Sequence, residues 1–130
     1  MARPSEPARE ADAMLPLSPI DLQILLVLTQ GDVHGYGLMK AVEEQSGGKV
    51  RLEVGSLYRV IKRLLGNGLI EETRHGASDS NEKTSGRGPK PRRFYQVSEF
   101  GREVAVAEAG RLSEVLETAR AQALIGGKKL

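Results

Sequence analysis

The 130-residue sequence predicts a mainly α fold with one small β-hairpin. Three observations carry that class. Three segments of helical pattern lie between Ser18 and Gly66. Two strand-forming segments, Leu69–His75 and Arg92–Ser98, flank a hydrophilic stretch. A long run from Glu99 to Leu124 then spaces apolar and small residues at four and three. Each element has its own local cause.

Residues 1–17 are rich in Ala, Arg, Glu and Pro, and Pro4, Pro7 and Pro16 interrupt any regular run. They read as a flexible arm, with room for a helical turn around Arg9–Met14. The first firm helix starts at Ser18-Pro19-Ile20-Asp21. Serine caps, proline fits the first turn, and the acid can reach back toward the cap. Through Leu28 this helix is apolar nearly all round, so it needs cover on two sides. A second subunit is one source of that cover.

Gln30-Gly31-Asp32 ends the helix, and His34-Gly35-Tyr36-Gly37 turns the chain into a second one, about Gly37–Gln45. Residues 50–54 alternate apolar and polar, as a short strand or extended entry would. The third helix, about Leu57–Gly66, places Leu57, Ile61, Leu64 and Leu65 on one side and Arg59, Lys62 and Arg63 on the other. Asn67-Gly68 stops it. Phe94 and Tyr95 give the second strand aromatic bulk. The tip between the strands, residues 76–91, is long and almost devoid of apolar residues, and reads as mobile. The terminal helix carries Ala105, Ala109, Leu112, Leu116, Ala119 and Ala123 in a stripe like that of a coiled coil. Residues 126–130 read as a flexible tail.

Three helices followed by a hairpin is the winged helix-turn-helix order. The domain reading is an arm over 1–17, a winged helix-turn-helix over 18–98, a dimerisation helix over 99–125 and the tail.

Composition excludes several classes. There is no cysteine, so disulfides, thiolate metal sites and thiol catalysis are out. His34 and His75 are the two histidines, too few for a multi-histidine metal site. No phosphate-cradling glycine loop, paired carboxylates or nucleophile–base pair stands out, so neither an enzyme nor a cofactor is expected. The longest apolar run, Ile24–Leu28, is far below the ~18 residues of a membrane span. With no secretion-signal pattern in residues 1–17, a cytoplasmic protein without a membrane partner is expected.

The net charge of +2 hides an asymmetry. Residues 55–95 hold 9 Lys and Arg against 4 Asp and Glu, and the remainder holds 10 against 13. The basic charge therefore sits on the third helix and hairpin, the elements this topology lays against DNA. Ser56, Arg59 and Arg63 are candidates for base edges or phosphates, with Tyr58 and Lys62 at the margin. On an isolated helix the same cations would be an ordinary solvated face. Arg87, Lys90, Arg92 and Arg93 form a slim Gly/Pro-spaced strip suited to phosphates or a minor groove. The bland alternative is a solubilising loop. Tyr36 can bond a phosphate or, the commoner role, pack in the core. For dimerisation the candidates are Leu22, Leu26, Leu112, Leu116, Ala119 and Ala123. The alternative is a terminal helix folded back on its own domain.

Five pieces in order resemble the PadR family of bacterial transcriptional regulators. They are Leu17-Ser18-Pro19 with its apolar helix, His34-Gly35-Tyr36, Gly55–Leu64, Gly68-Leu69-Ile70-Glu71, and Arg93–Arg102. The single terminal helix resembles the short subfamily. The resemblance implies a homodimer that binds double-stranded DNA at an inverted repeat, usually as a repressor. It also implies release by a small aromatic or multidrug-like effector near the dimer interface. This sequence differs in its long wing, its arm, and a terminal helix with no aromatic beyond Phe100. A protein-interaction module built on the same winged helix is the alternative function.

Overall fold

The computed structural model describes residues 6–73 and 93–125. The order is α1 (Glu6–Ala13), α2 (Pro19–Leu28), β1 (Val33–His34), α3 (Gly35–Gln45), α4 (Val54–Gly66), β2 (Ile70–Thr73), β3 (Phe94–Val97) and α5 (Glu99–Ala121). The strands form one antiparallel sheet in the order β1-β3-β2. Ile70 faces Val97 and Thr73 faces Phe94 across β2 and β3, while Val33 faces Tyr95 across β1 and β3. This is the winged-helix arrangement, with β1 added to the predicted hairpin.

The core explains the apolar circumference of α2. Ile24 and Leu25 are fully buried, and Val27 and Leu28 nearly so. The helix packs against α3, α5 and β3 of its own chain. The second side that the sequence reading leaves to a partner subunit is thus covered internally, and only Leu26 is exposed among its leucines. Leu38 and Val42 of α3, Leu57, Ile61 and Leu64 of α4, and Val104 of α5 complete the interior. Burying each such side chain is worth about 1.5–3 kcal/mol.

Two junctions hold α4 and α5 in place. Gly68, at φ +77°, ends α4: its N–H reaches Leu65 O at 3.0 Å and that of Leu69 reaches Leu64 O at 2.9 Å. This glycine-closed geometry satisfies the last helical carbonyls. Ser98 then caps α5, accepting from Gly101 N at 2.8 Å and donating its hydroxyl to Gly68 O at 2.6 Å. One serine ties the start of α5 to the end of α4.

Three expectations change. The arm read as flexible contains α1, which packs on α5 with Ala11 buried. Helix α4 starts at Val54 rather than near Leu57, and of the two readings of the segment before it residues 50–53 take the entry, not the strand. Helix α5 ends at Ala121, and Ala123 sits beyond it at φ +62°. The wing tip 76–91 and tail 126–130 lie outside the described residues.

Candidate nucleic-acid interface

Helix α4 is amphipathic because its apolar residues recur at three and four. Leu57, Val60, Ile61 and Leu64 are buried, and Tyr58, Arg59, Lys62 and Arg63 are exposed. The buried row fixes which side chains the opposite row presents. Arg59 lies 3.4 Å from the hydroxyl of half-buried Ser56. Neither Arg59 nor Lys62 has an acidic partner among the described residues.

Arg63 is placed differently. Its Nη2 donates to Oδ1 of Asp21, in the first turn of α2. That carboxylate side chain is only 12% exposed. The arginine expected to reach DNA is paired with this acid, while its own side chain remains 47% exposed.

The turn before α3 supplies the neighbouring surface. His34 caps α3, its Nδ1 accepting from Gly37 N at 3.0 Å, and its ring meets Phe94 edge-on at 5.3 Å. The glycines have specific reasons to be there. A Cβ on Gly35 would lie 2.6 Å from the Tyr58 hydroxyl, and one on Gly37 3.0 Å from the His34 ring. Tyr58 therefore lies over the start of α3. Tyr36 is 63% exposed, so its ring is not a core anchor. His34, Gly35, Tyr36, Tyr58 and Arg93 line a small cavity of about 120 Å³. Arg93 pairs with Glu72 on the adjacent strand at 3.2 Å, both side chains being exposed. Such a pair is worth under about 1 kcal/mol and exchanges readily for another anion. Burial, and next the Glu72 carboxylate, push the Tyr95 phenol above its ordinary value, so it stays neutral.

The structure thus brings together Tyr36, Ser56, Tyr58, Arg59, Lys62 and Arg93, and turns Arg63 aside. Arg87, Lys90 and Arg92 fall outside the described residues.

The dimerisation candidates divide likewise. Leu22, Leu112 and Ala119 are half-buried, Leu26 and Leu116 exposed, and Ala123 is off the helix. On α5 the buried residues are Gly101, Val104, Ala105 and Glu108. At ~100° per residue, Leu112, Val115, Leu116 and Ala119 continue that same face. Val115 and Leu116 there are about half exposed. Val115 lies off the stripe that the sequence pattern marks, because that stripe passes through Ala109, an exposed residue.

A family model, the transcriptional regulator PadR-like family, matches residues 24–107. The chain belongs to that family. No curated protein matches this PadR-like chain. Among solved structures it is similar to a PadR family transcription regulator from hypervirulent Clostridium difficile R20291. The two share 24% identity over 82% of this chain and 99% of that one, with a TM-score of 0.64. A PadR-like transcriptional regulator from Bacillus cereus gives 23% identity, 88% and 96% coverage and 0.59. Bacillus subtilis PadR in complex with operator DNA gives 20%, 71% and 46%, and 0.53. These likenesses show the PadR winged-helix fold. Among the described residues no helix is long and apolar enough to cross a membrane.

Proposed function

We propose that this PadR-like regulator binds double-stranded DNA sequence-specifically as a homodimer, acting as a repressor at an inverted repeat. One observation carries the reading. Tyr58, Arg59 and Lys62 stand exposed, the two cations without acidic partners among the described residues, on a helix whose other face is locked in the core. Tyr36 and Arg93 flank them. A recognition helix needs a polar, cationic face that can enter the major groove, with phosphate contacts beside it. The solved complex of Bacillus subtilis PadR with operator DNA supports the same use of the fold. The exposed continuation of the inner face of α5 suits a second copy, which would supply the second half-site reader.

The test is fluorescence anisotropy on the regulator's own upstream DNA and on a scrambled fragment, over a range of salt. Arg59→Ala should weaken the specific complex at least about tenfold and narrow the gap to scrambled DNA. Lys62→Ala should weaken both and reduce the salt slope by about one unit. A wild-type protein that binds neither fragment even at low salt would overturn the reading in favour of a protein-interaction module.

A further inference from the structure

We infer that Asp21 and Arg63 are positioning residues for DNA recognition: their ion pair sets where α4 sits against α2, and Arg63 does not touch the nucleic acid. The inference rests on the DNA-binding reading above and assigns roles within it.

Arg63 lies in the last turn of α4 and Asp21 in the first turn of α2. Each charge complements the partial charge of its own helix end, so the pair joins a positive end to a negative one. Ser18 Oγ accepts from Asp21 N at 3.1 Å and fixes the backbone that carries the carboxylate. Helix α3 packs on both helices. Among the described residues Asp21–Arg63 is the one side-chain hydrogen bond that links α2 to α4 directly.

Burial of the acid argues for this role, although the Arg63 side chain itself is 47% exposed. Residue Asp21 is 8% exposed. If Arg63 swung out to a phosphate, that carboxylate would stay nearly buried without its cation, which is strongly unfavourable. Arg59 and Lys62 carry no such obligation. Recognition helices also read bases mainly through their N-terminal residues, and Arg63 stands a full turn beyond Arg59. A clamp at the far end sets the helix's tilt while its near end enters the groove. Small tilts matter because bidentate base contacts are geometrically demanding.

The experiment uses the full chain and the same anisotropy assay, with Arg63→Ala, Asp21→Asn, the double variant and the exchanged pair Asp21→Arg/Arg63→Asp. If the pair is a clamp, each single variant weakens specific binding about five- to tenfold. The salt slope then stays at the wild-type value, because no phosphate contact is lost. The double variant is no worse than either single one, as for two members of one interaction. Partial recovery by the exchanged pair supports the clamp further. Should that pair fail to fold, the single and double variants decide the matter. Two outcomes overturn it: Asp21→Asn that binds as tightly as wild type or tighter, which means a released Arg63 serves DNA directly, or Arg63→Ala that lowers the salt slope by about one. A wild type that ignores DNA removes the underlying function instead, and with it the clamp's role.

Discussion

A Cβ on Gly101 would stand 2.0 Å from the carbonyl oxygen of Leu69 and 2.9 Å from its carbon. The first turn of α5 is therefore pressed directly on the backbone that leads into β2. The two nearest obstructing atoms are main chain and cannot yield as a flexible side chain would; the Val97 Cγ2 methyl follows at 3.0 Å. Gly101→Ala should destabilise the protein by about 2 kcal/mol or more, as overpacked sites do. At this size that is a fall of roughly 6–10 °C in the thermal midpoint. Calorimetry of the two proteins checks it.

Gly35 makes the opposite kind of contact. Its neighbour is the hydroxyl end of Tyr58, a side chain that can rotate away. Gly35→Ala should leave the thermal midpoint within about 2 °C of wild type. It should nonetheless move the Tyr58 ring off the start of α3 and weaken the DNA complex about tenfold, the scale of one lost contact. Anisotropy and calorimetry on one preparation separate the two effects.

Glu108 is a carboxylate almost wholly buried on α5. Arg111 meets it at 2.6 and 2.8 Å, and Leu17 N donates to it at 3.2 Å. Hydrogen bonding from Arg111, outweighing burial and helped by Leu17, holds its pKa below the ordinary glutamate value. The unfolded chain thus takes up this proton at a higher pH than the folded one. The stabilisation is present above the ordinary carboxylate range, near pH 4.3, and is lost as pH falls below it. Glu108→Gln should lower the urea midpoint at neutral pH. The difference from wild type should shrink steadily as pH falls from about 6 to about 3. A difference independent of pH would assign the anchor of Leu17 to something other than the charge.

Two substitutions probe α5 beyond the domain. Leu116→Glu or Val115→Glu places a charge on the half-exposed face, and should raise the dissociation constant of the proposed dimer at least about a hundredfold. Sedimentation equilibrium reads this directly. Ala123, at φ +62°, ends the helix in a conformation that costs an L-residue about 1 kcal/mol. Ala123→Gly should slow amide exchange at Leu124, whose N–H bonds Ala119 O at 2.9 Å.

These residues also show how far the sequence could be read. The three-helix order, the start at Ser18 and the stop at Gly68 are local chemistry and therefore legible. So is the amphipathic split of α4, because burial of Leu57, Ile61 and Leu64 dictates the rest. Strand β1 is not, since two residues hold no alternation and pair only because Phe94 and Tyr95 are brought alongside. Helix α1 is masked by the prolines in and around it, although the one inside it, Pro7, stands in the first turn, where a missing N–H costs little. Asp21–Arg63 obeys no spacing rule, for it joins two helices separated in the chain. Arg63 therefore reads from sequence as one more surface cation.

The half-covered inner face of α5 has a consequence for the order of events in the cell. Its proximal half is buried by the chain's own domain, so a single protomer can complete its core before it meets a second. In the proposed dimer the distal half would gain cover only on encounter. For such a dimer folding would be first-order and assembly second-order, and the abundance of the regulator would set how much of it could span two half-sites at once. A dimer needed for tight operator binding would make occupancy rise more steeply than in proportion to protein concentration, a threshold built from one helix that outruns its domain.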